Sequence, residues 1–133
     1  MFTIQQIQES HARVKSGADF PQFIRELKAI GVKAYETYVK DGHSVYYDEE
    51  NQSVASPPKY DDLEVADECN PNQFREYLEL HQQGKTDYKM FCEHCAFTGI
   101  EYWLVDLGKM TCVYFAKEDV LVYEEVIVHN FKL

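Results

Sequence analysis

The sequence predicts an α+β domain of internally duplicated helix–helix–hairpin units, with a mainly antiparallel sheet and helices packed on one face. Three observations carry that expectation. The first is internal similarity at an offset of 68 residues. Laying the segment from Ala18 over the segment from Thr86 aligns Asp19 with Asp87, Phe20 with Tyr88, Phe23 with Phe91 and Gly31 with Gly99. Tyr35 then meets Trp103 and Val39 meets Leu107, and an offset of 70 aligns His11 with His81. The second is that each half changes from helical to strand periodicity just past its glycine. The third is composition: 10 Tyr, 8 Phe and 1 Trp in 133 residues favour a sheet over an all-helical bundle.

The elements follow in order. Thr3 and Gln6 form a capping box, and Phe2 with Ile7 a hydrophobic staple, so a helix runs from about residue 4 to 15 and stops near Gly17. Asp19 caps a second helix with Pro21 in its first turn. Its apolar positions Phe20, Phe23, Ile24, Leu27 and Ile30 recur at helical spacing, and Gly31 ends it. Strands Val32–Val39 and Ser44–Tyr47 flank Asp41-Gly42, the dipeptide of a type I′ turn. A short strand, Gln52–Ala55, precedes Pro57 and Pro58.

In the second half Asn70 caps, Pro71 takes the first helical position, Gln73 completes the box, and Gly84 stops the helix after Gln83. A helix carrying Cys92 and Cys95 follows. Strands Ile100–Leu107 and Met110–Phe115 flank Gly108-Lys109, which suits a type II′ turn, and Val120–Val128 adds a further strand. The whole is one domain, residues 1–133, with repeats at about 2–55 and 69–128 and an acidic connector at about 48–68.

Charge is uneven. Residues 1–40 sum to +2, residues 41–69 to −8 and the remainder to −4, giving −10 in all. A chain with 13 basic against 23 acidic residues is a poor general binder of nucleic acid, whose affinity comes mainly from Lys and Arg. The connector reads as a solvated acidic loop or as a surface that docks a basic partner. No apolar run is long enough to span a membrane, and the first ten residues lack the basic and apolar regions of a signal peptide. The expected location is cytoplasmic, with the four cysteines reduced.

Cys92-Glu93-His94-Cys95 has the spacing of a redox or zinc motif. It lies mid-helix, though, opposite the core positions Ile24 and Leu27, which points to buried thiols packing as small hydrophobes. A zinc site would need two more ligands from Cys69, Cys112 or His94, so no metal or other cofactor is expected. The equivalent positions of His11 and His81, with His43 beside Asp41, make His11, Asp41, His43 and His81 the candidate ligand cluster. The competing expectation is that His11 and His81 each orient a helix. No nucleophile elbow, P-loop, dinucleotide fingerprint or zinc-protease motif occurs, so no catalytic residue is assigned. Strand alternation places about half of the aromatics Tyr35, Tyr38, Tyr46, Tyr47, Tyr102, Trp103, Tyr114 and Phe115 beneath the helices.

The stretches SHARVKSGADFPQFIRELKAIGV, YETYVKDGHSVYY, HQQGKTDYKMFC and MTCVYF resemble the YdfO-like proteins, small enterobacterial and often prophage-encoded chains of about this length. Some members are labelled "phage envelope protein". The resemblance implies a compact α+β domain and no particular activity.

The leading expectation is a non-enzymatic accessory or protein-interaction module of bacterial or prophage origin. One alternative is a small-molecule binder or enzyme using a cleft between the repeats near His11, His43 and His81. Another is an acidic inhibitor that imitates DNA. The open sheet edge at Val120–Val128 suggests a homodimer, opposed by the mid-strand charges Glu124 and Glu125.

Overall fold

The N-terminal helix starts where its side chains satisfy the first free amides. In the computed structural model, which describes residues 2–14 and 19–127, Thr3 accepts from the Gln6 amide (3.2 Å) and Gln6 reaches back to the Thr3 amide (2.8 Å). That box opens α1 (Ile4–Ala12), and Phe2 and Ile7 are both buried beside it. The predicted helix stop Gly17, the repeat start Ala18, and the terminal residues Val128 and His129 lie outside the described residues.

Helix α2 (Phe20–Ala29) buries Phe20, Phe23, Ile24 and Leu27, as its spacing predicts. Asp19 does not cap it as expected. Its backbone angles are already helical (φ −85°, ψ −5°) rather than extended, and its side chain makes no cap bond to the first-turn amides. Its counterpart Asp87 is extended and accepts from the Met90 amide (2.7 Å), opening α4 (Tyr88–Phe97). Helix α3 (Pro71–Gln82) is capped by Asn70, which accepts from the Gln73 amide (3.1 Å). Gln73 does not complete a box. Its side chain turns to Glu76, and the Asn70 amide donates to the Thr98 carbonyl (2.9 Å) instead.

Six strands form one antiparallel sheet: β1 (Val32–Tyr38), β2 (Ser44–Asp48), β3 (Ser53–Ala55), β4 (Ile100–Asp106), β5 (Thr111–Ala116) and β6 (Val120–Val126). Their order is β3-β2-β1-β4-β5-β6, so each half contributes its strands outward from a central β1–β4 pair. Tyr35, Trp103, Val105, Cys112 and Tyr114 share one hydrophobic core with the buried faces of all four helices. The fold is therefore α+β, with the helices on one side of the sheet.

Both hairpin turns differ from expectation. The β1–β2 connection is a five-residue loop, 39–43, closed by the Tyr38 amide on the His43 carbonyl (2.9 Å). The β4–β5 loop is four residues, 107–110. Asp106 accepts from the Gly108 and Lys109 amides (2.9 and 3.0 Å), and Met110 rather than Gly108 takes the left-handed conformation (φ 55°). An aspartate side chain that closes the turn itself removes the need for a glycine at its first corner.

The connector is docked as well as acidic. The Lys59 and Leu63 amides donate to the Asp41 and Lys40 carbonyls (2.8 and 2.7 Å), the Ala66 amide to Ala96 (2.9 Å), and Val65 is buried. Apolar Tyr60, Leu63 and Val65, spaced among the acids, tie it to both halves.

Candidate functional site

Strand alternation splits the aromatics by face. Tyr35, Tyr46, Trp103 and Tyr114 are buried under the helices, while Tyr38, Tyr47, Tyr102 and Phe115 keep partial exposure on the side that has no helical cover among the described residues. Cross-strand register then lines three of these up. Tyr38 is paired with Tyr102 across β1–β4, and Tyr102 with Phe115 across β4–β5. Their rings stack at centroid distances of 5.5 and 4.8 Å. His43 adds a fourth ring, nearly parallel to Tyr38 (4.7 Å, 7°).

Asp41 fixes that imidazole. Its Oδ1 lies 2.5 Å from His43 Nδ1 and also accepts from the His43 amide (3.0 Å). Burial alone would raise the Asp41 carboxyl, but the bonds from the His43 ring and backbone outweigh it and hold the group below its ordinary value. The pair thus orients one end of the row.

Carboxylates border the rings. Glu36 accepts from the Tyr47 hydroxyl (2.8 Å) and the Tyr38 hydroxyl (3.3 Å), and Asp119 accepts from the Tyr102 hydroxyl (2.8 Å). Asp119 reaches Tyr102 from a turn in which Glu118 and Asp119 both have positive φ (63° and 60°). Burial raises the Tyr38 phenol first, and the negative charges of Glu36, Asp119 and Glu101 raise it further. The Tyr102 phenol is raised by burial and then by its bond to Asp119. Of the lysines on or flanking these strands, Lys117 pairs with Asp67, Lys40 with Asp62, and Lys33 donates to Asn51.

Aliphatic side chains extend the same face. Leu104 and Val113 are paired beside the row, and on β6 Leu121 faces Phe115 while Val126 faces Thr111. Leu121 and Val126 are 55% and 63% exposed. Rings with electron-rich faces, set among carboxylates and next to exposed aliphatics, suit a cationic, partly apolar ligand.

Of the sequence-predicted cluster, the structure joins Asp41 to His43. His11 sits edge-on to Phe23 (5.4 Å) and packs α1 on α2. His81 stacks on Phe91 (4.5 Å), with its Nδ1 3.0 Å from the Thr86 hydroxyl oxygen, and packs α3 on α4. Cys92, Cys95 and Cys112 are fully buried, as core packing requires. Among the described residues, no group of three or more His, Cys, Asp or Glu side chains is placed to hold a metal ion. The residues that sequence reasoning did not assign are Glu36, Glu101 and Asp119. Period-two alternation puts Glu36 on the face of Tyr38, but Asp119 arrives only through the irregular turn.

The chain is similar to the uncharacterized protein YcgX of Escherichia coli K12, with 24% identity over 123 residues covering 92% of each chain. A family model described as "Protein of unknown function (DUF1398)" matches residues 8–126, and the chain belongs to that family.

Proposed function

We propose that this chain, of the YdfO-like and prophage-borne kind its sequence resembles, is a cytoplasmic, non-enzymatic binding module. Its uncovered sheet face docks an arginine- or lysine-bearing segment of a partner protein. The observation that carries this reading is the row His43, Tyr38, Tyr102 and Phe115 bordered by Glu36, Glu101 and Asp119. A guanidinium over such rings gains about 0.5–2 kcal/mol per contact, and the carboxylates steer it in. Phosphate groups would meet the same carboxylates and be repelled. Calorimetry with a synthetic hexa-arginine peptide tests the proposal. Glu36→Gln/Asp119→Asn should weaken binding by about tenfold. Glu49→Gln/Glu50→Gln, with the same loss of charge on the β2–β3 turn, should leave it near wild type. Equal losses in the two variants would reduce the effect to net charge and overturn the reading.

We infer also that the two halves descend from one duplicated unit. The elements of each half run helix, helix and three strands, and α2 and α4 start and end 68 residues apart, as do β1 and β4. β1 and β4 share one burial pattern. His11 meets Phe23 and His81 meets Phe91, pairs that correspond at offsets of 70 and 68, the first edge-on and the second stacked.

A further inference from the structure

Two lysines on the helical side of the molecule face phenols where an acidic protein offers many carboxylates. Lys59 of the connector holds its ammonium 5.5 Å from the Tyr88 ring centroid on α4, and Lys89 of α4 holds its own 5.2 Å from the Tyr60 ring of the connector. The pairs are crossed: each cation lies over the ring of the other's segment, and both act on the Cys92 thiol beside those rings. Neither makes an ion pair within 4.0 Å among the described residues. Among nearby acids Asp41 bonds His43 and Asp87 bonds the Met90 amide, while Glu93, one turn along α4 from Lys89, and Asp61, beside Tyr60, stay beyond ion-pair distance of both lysines.

The frame around these charges is rigid. The Tyr60 hydroxyl donates to the Val39 carbonyl (2.6 Å), and its ring lies so close to Gly42 that a β-carbon there would sit 2.7 Å from it. The Lys59 amide is tied to the Asp41 carbonyl (2.8 Å). Tyr88 stands edge-on to Trp103 (6.4 Å), and its hydroxyl and that of Tyr60 lie against the buried Cys92 thiol. Burial raises that thiol, so it stays protonated and serves as floor rather than nucleophile. Burial also lowers the Lys59 ammonium, and the Lys59 charge in turn adds to the lowering of His11 on α1. Two like charges beside one thiol, neither with an ion pair from the described residues, leave room for a counter-charge from outside.

We infer that Lys59 and Lys89, framed by Tyr60 and Tyr88, form a second binding site for a small oxyanion, either a carboxylate or a phosphate. The site is separate from the sheet face and uses the opposite charge. Its oxyanion would bridge the two ammoniums beside the phenol rings, at a site open to solvent.

The single tryptophan reports on it through Tyr88. Trp103 fluorescence and calorimetry, with sodium phosphate and sodium benzoate in separate titrations at constant ionic strength, test the inference. Saturable binding of either anion is expected, and the anion that saturates at lower concentration identifies the ligand class. Lys89→Gln, at an exposed position, and Lys59→Met should each weaken that binding by about tenfold. Lys85→Gln, on the α3–α4 turn, should not. Absence of saturable binding with both anions, or equal affinity in wild type and both site variants, would overturn the site.

Discussion

Glu36 and Leu104 lie directly opposite each other in the β1–β4 ladder, and they are 68 residues apart. Every other pair in that ladder is arranged symmetrically about them: Ala34 with Asp106, Tyr35 with Val105, Thr37 with Trp103 and Tyr38 with Tyr102. The centre of the sheet therefore coincides with the one position in that ladder where residues 68 apart in sequence meet. The ring row grows from that centre, since Tyr38 and Tyr102 are the next pair but one along the strands.

If the halves are equivalent units, a chain of residues 69–133 alone bares the β4 edge and should pair with a second copy about Leu104. Light scattering should give twice its monomer mass, and Leu104→Glu, which sets like charges opposite each other, should abolish the dimer. A folded monomer would count against equivalence.

Glu36 also governs a titration. Its bond to the Tyr47 hydroxyl, followed by burial, pushes that phenol up to about 12 from an ordinary 10.0. The neutral phenol is the favoured form. The stabilisation is therefore complete below the unfolded value near 10.0 and is lost as pH rises through about 12. Ultraviolet titration of Glu36→Gln should move the Tyr47 transition down toward the ordinary value, and its denaturation midpoint should fall less than wild type's over that interval. An unmoved transition would show that Glu36 does not hold the phenol.

Gly99 is left-handed (φ 86°), and a β-carbon there would meet the Glu68 carbonyl oxygen at 2.7 Å and the Cys69 Cα at 2.8 Å. Gly84 has a similar φ of 79° with nothing within 4 Å. Gly84→Ala should cost about 1 kcal/mol, from backbone strain alone. Gly99→Ala should cost roughly 2–4 kcal/mol, because backbone cannot step aside as a side chain can. Urea denaturation of the two variants measures the difference, and equal losses would mean that the connector yields at Cys69.

The thiols should separate by burial. Cys92, Cys95 and Cys112 are fully buried, and burial pushes the Cys112 thiol up to about 12. Cys69 is half-buried at the start of the second half. An aromatic disulfide reagent should modify Cys69 first in the native protein and reach the other three only on unfolding. Rapid native reaction at Cys92 would contradict the packed floor described for the lysine site.

The local chemistry was legible in the sequence. Thr3 and Asn70 announce helix starts because each side chain bonds an amide three residues ahead; Asp19 fails through its backbone angles, and Asp87, aligned with it but not assigned as a cap, bonds Met90 instead. Alternation separated Tyr35 and Trp103 from Tyr38 and Tyr102 because successive strand side chains point to opposite faces. Tertiary structure decided what depends on partners distant in sequence. The two hairpin loops are set by what Tyr38 and Asp106 bond rather than by a dipeptide. The acidic connector is held down by Tyr60 and Val65, whose burial exists only once both halves are folded. Four rings became one row because β1 pairs with β4. That register is a sum of long-range contacts, and no window of neighbouring residues contains it.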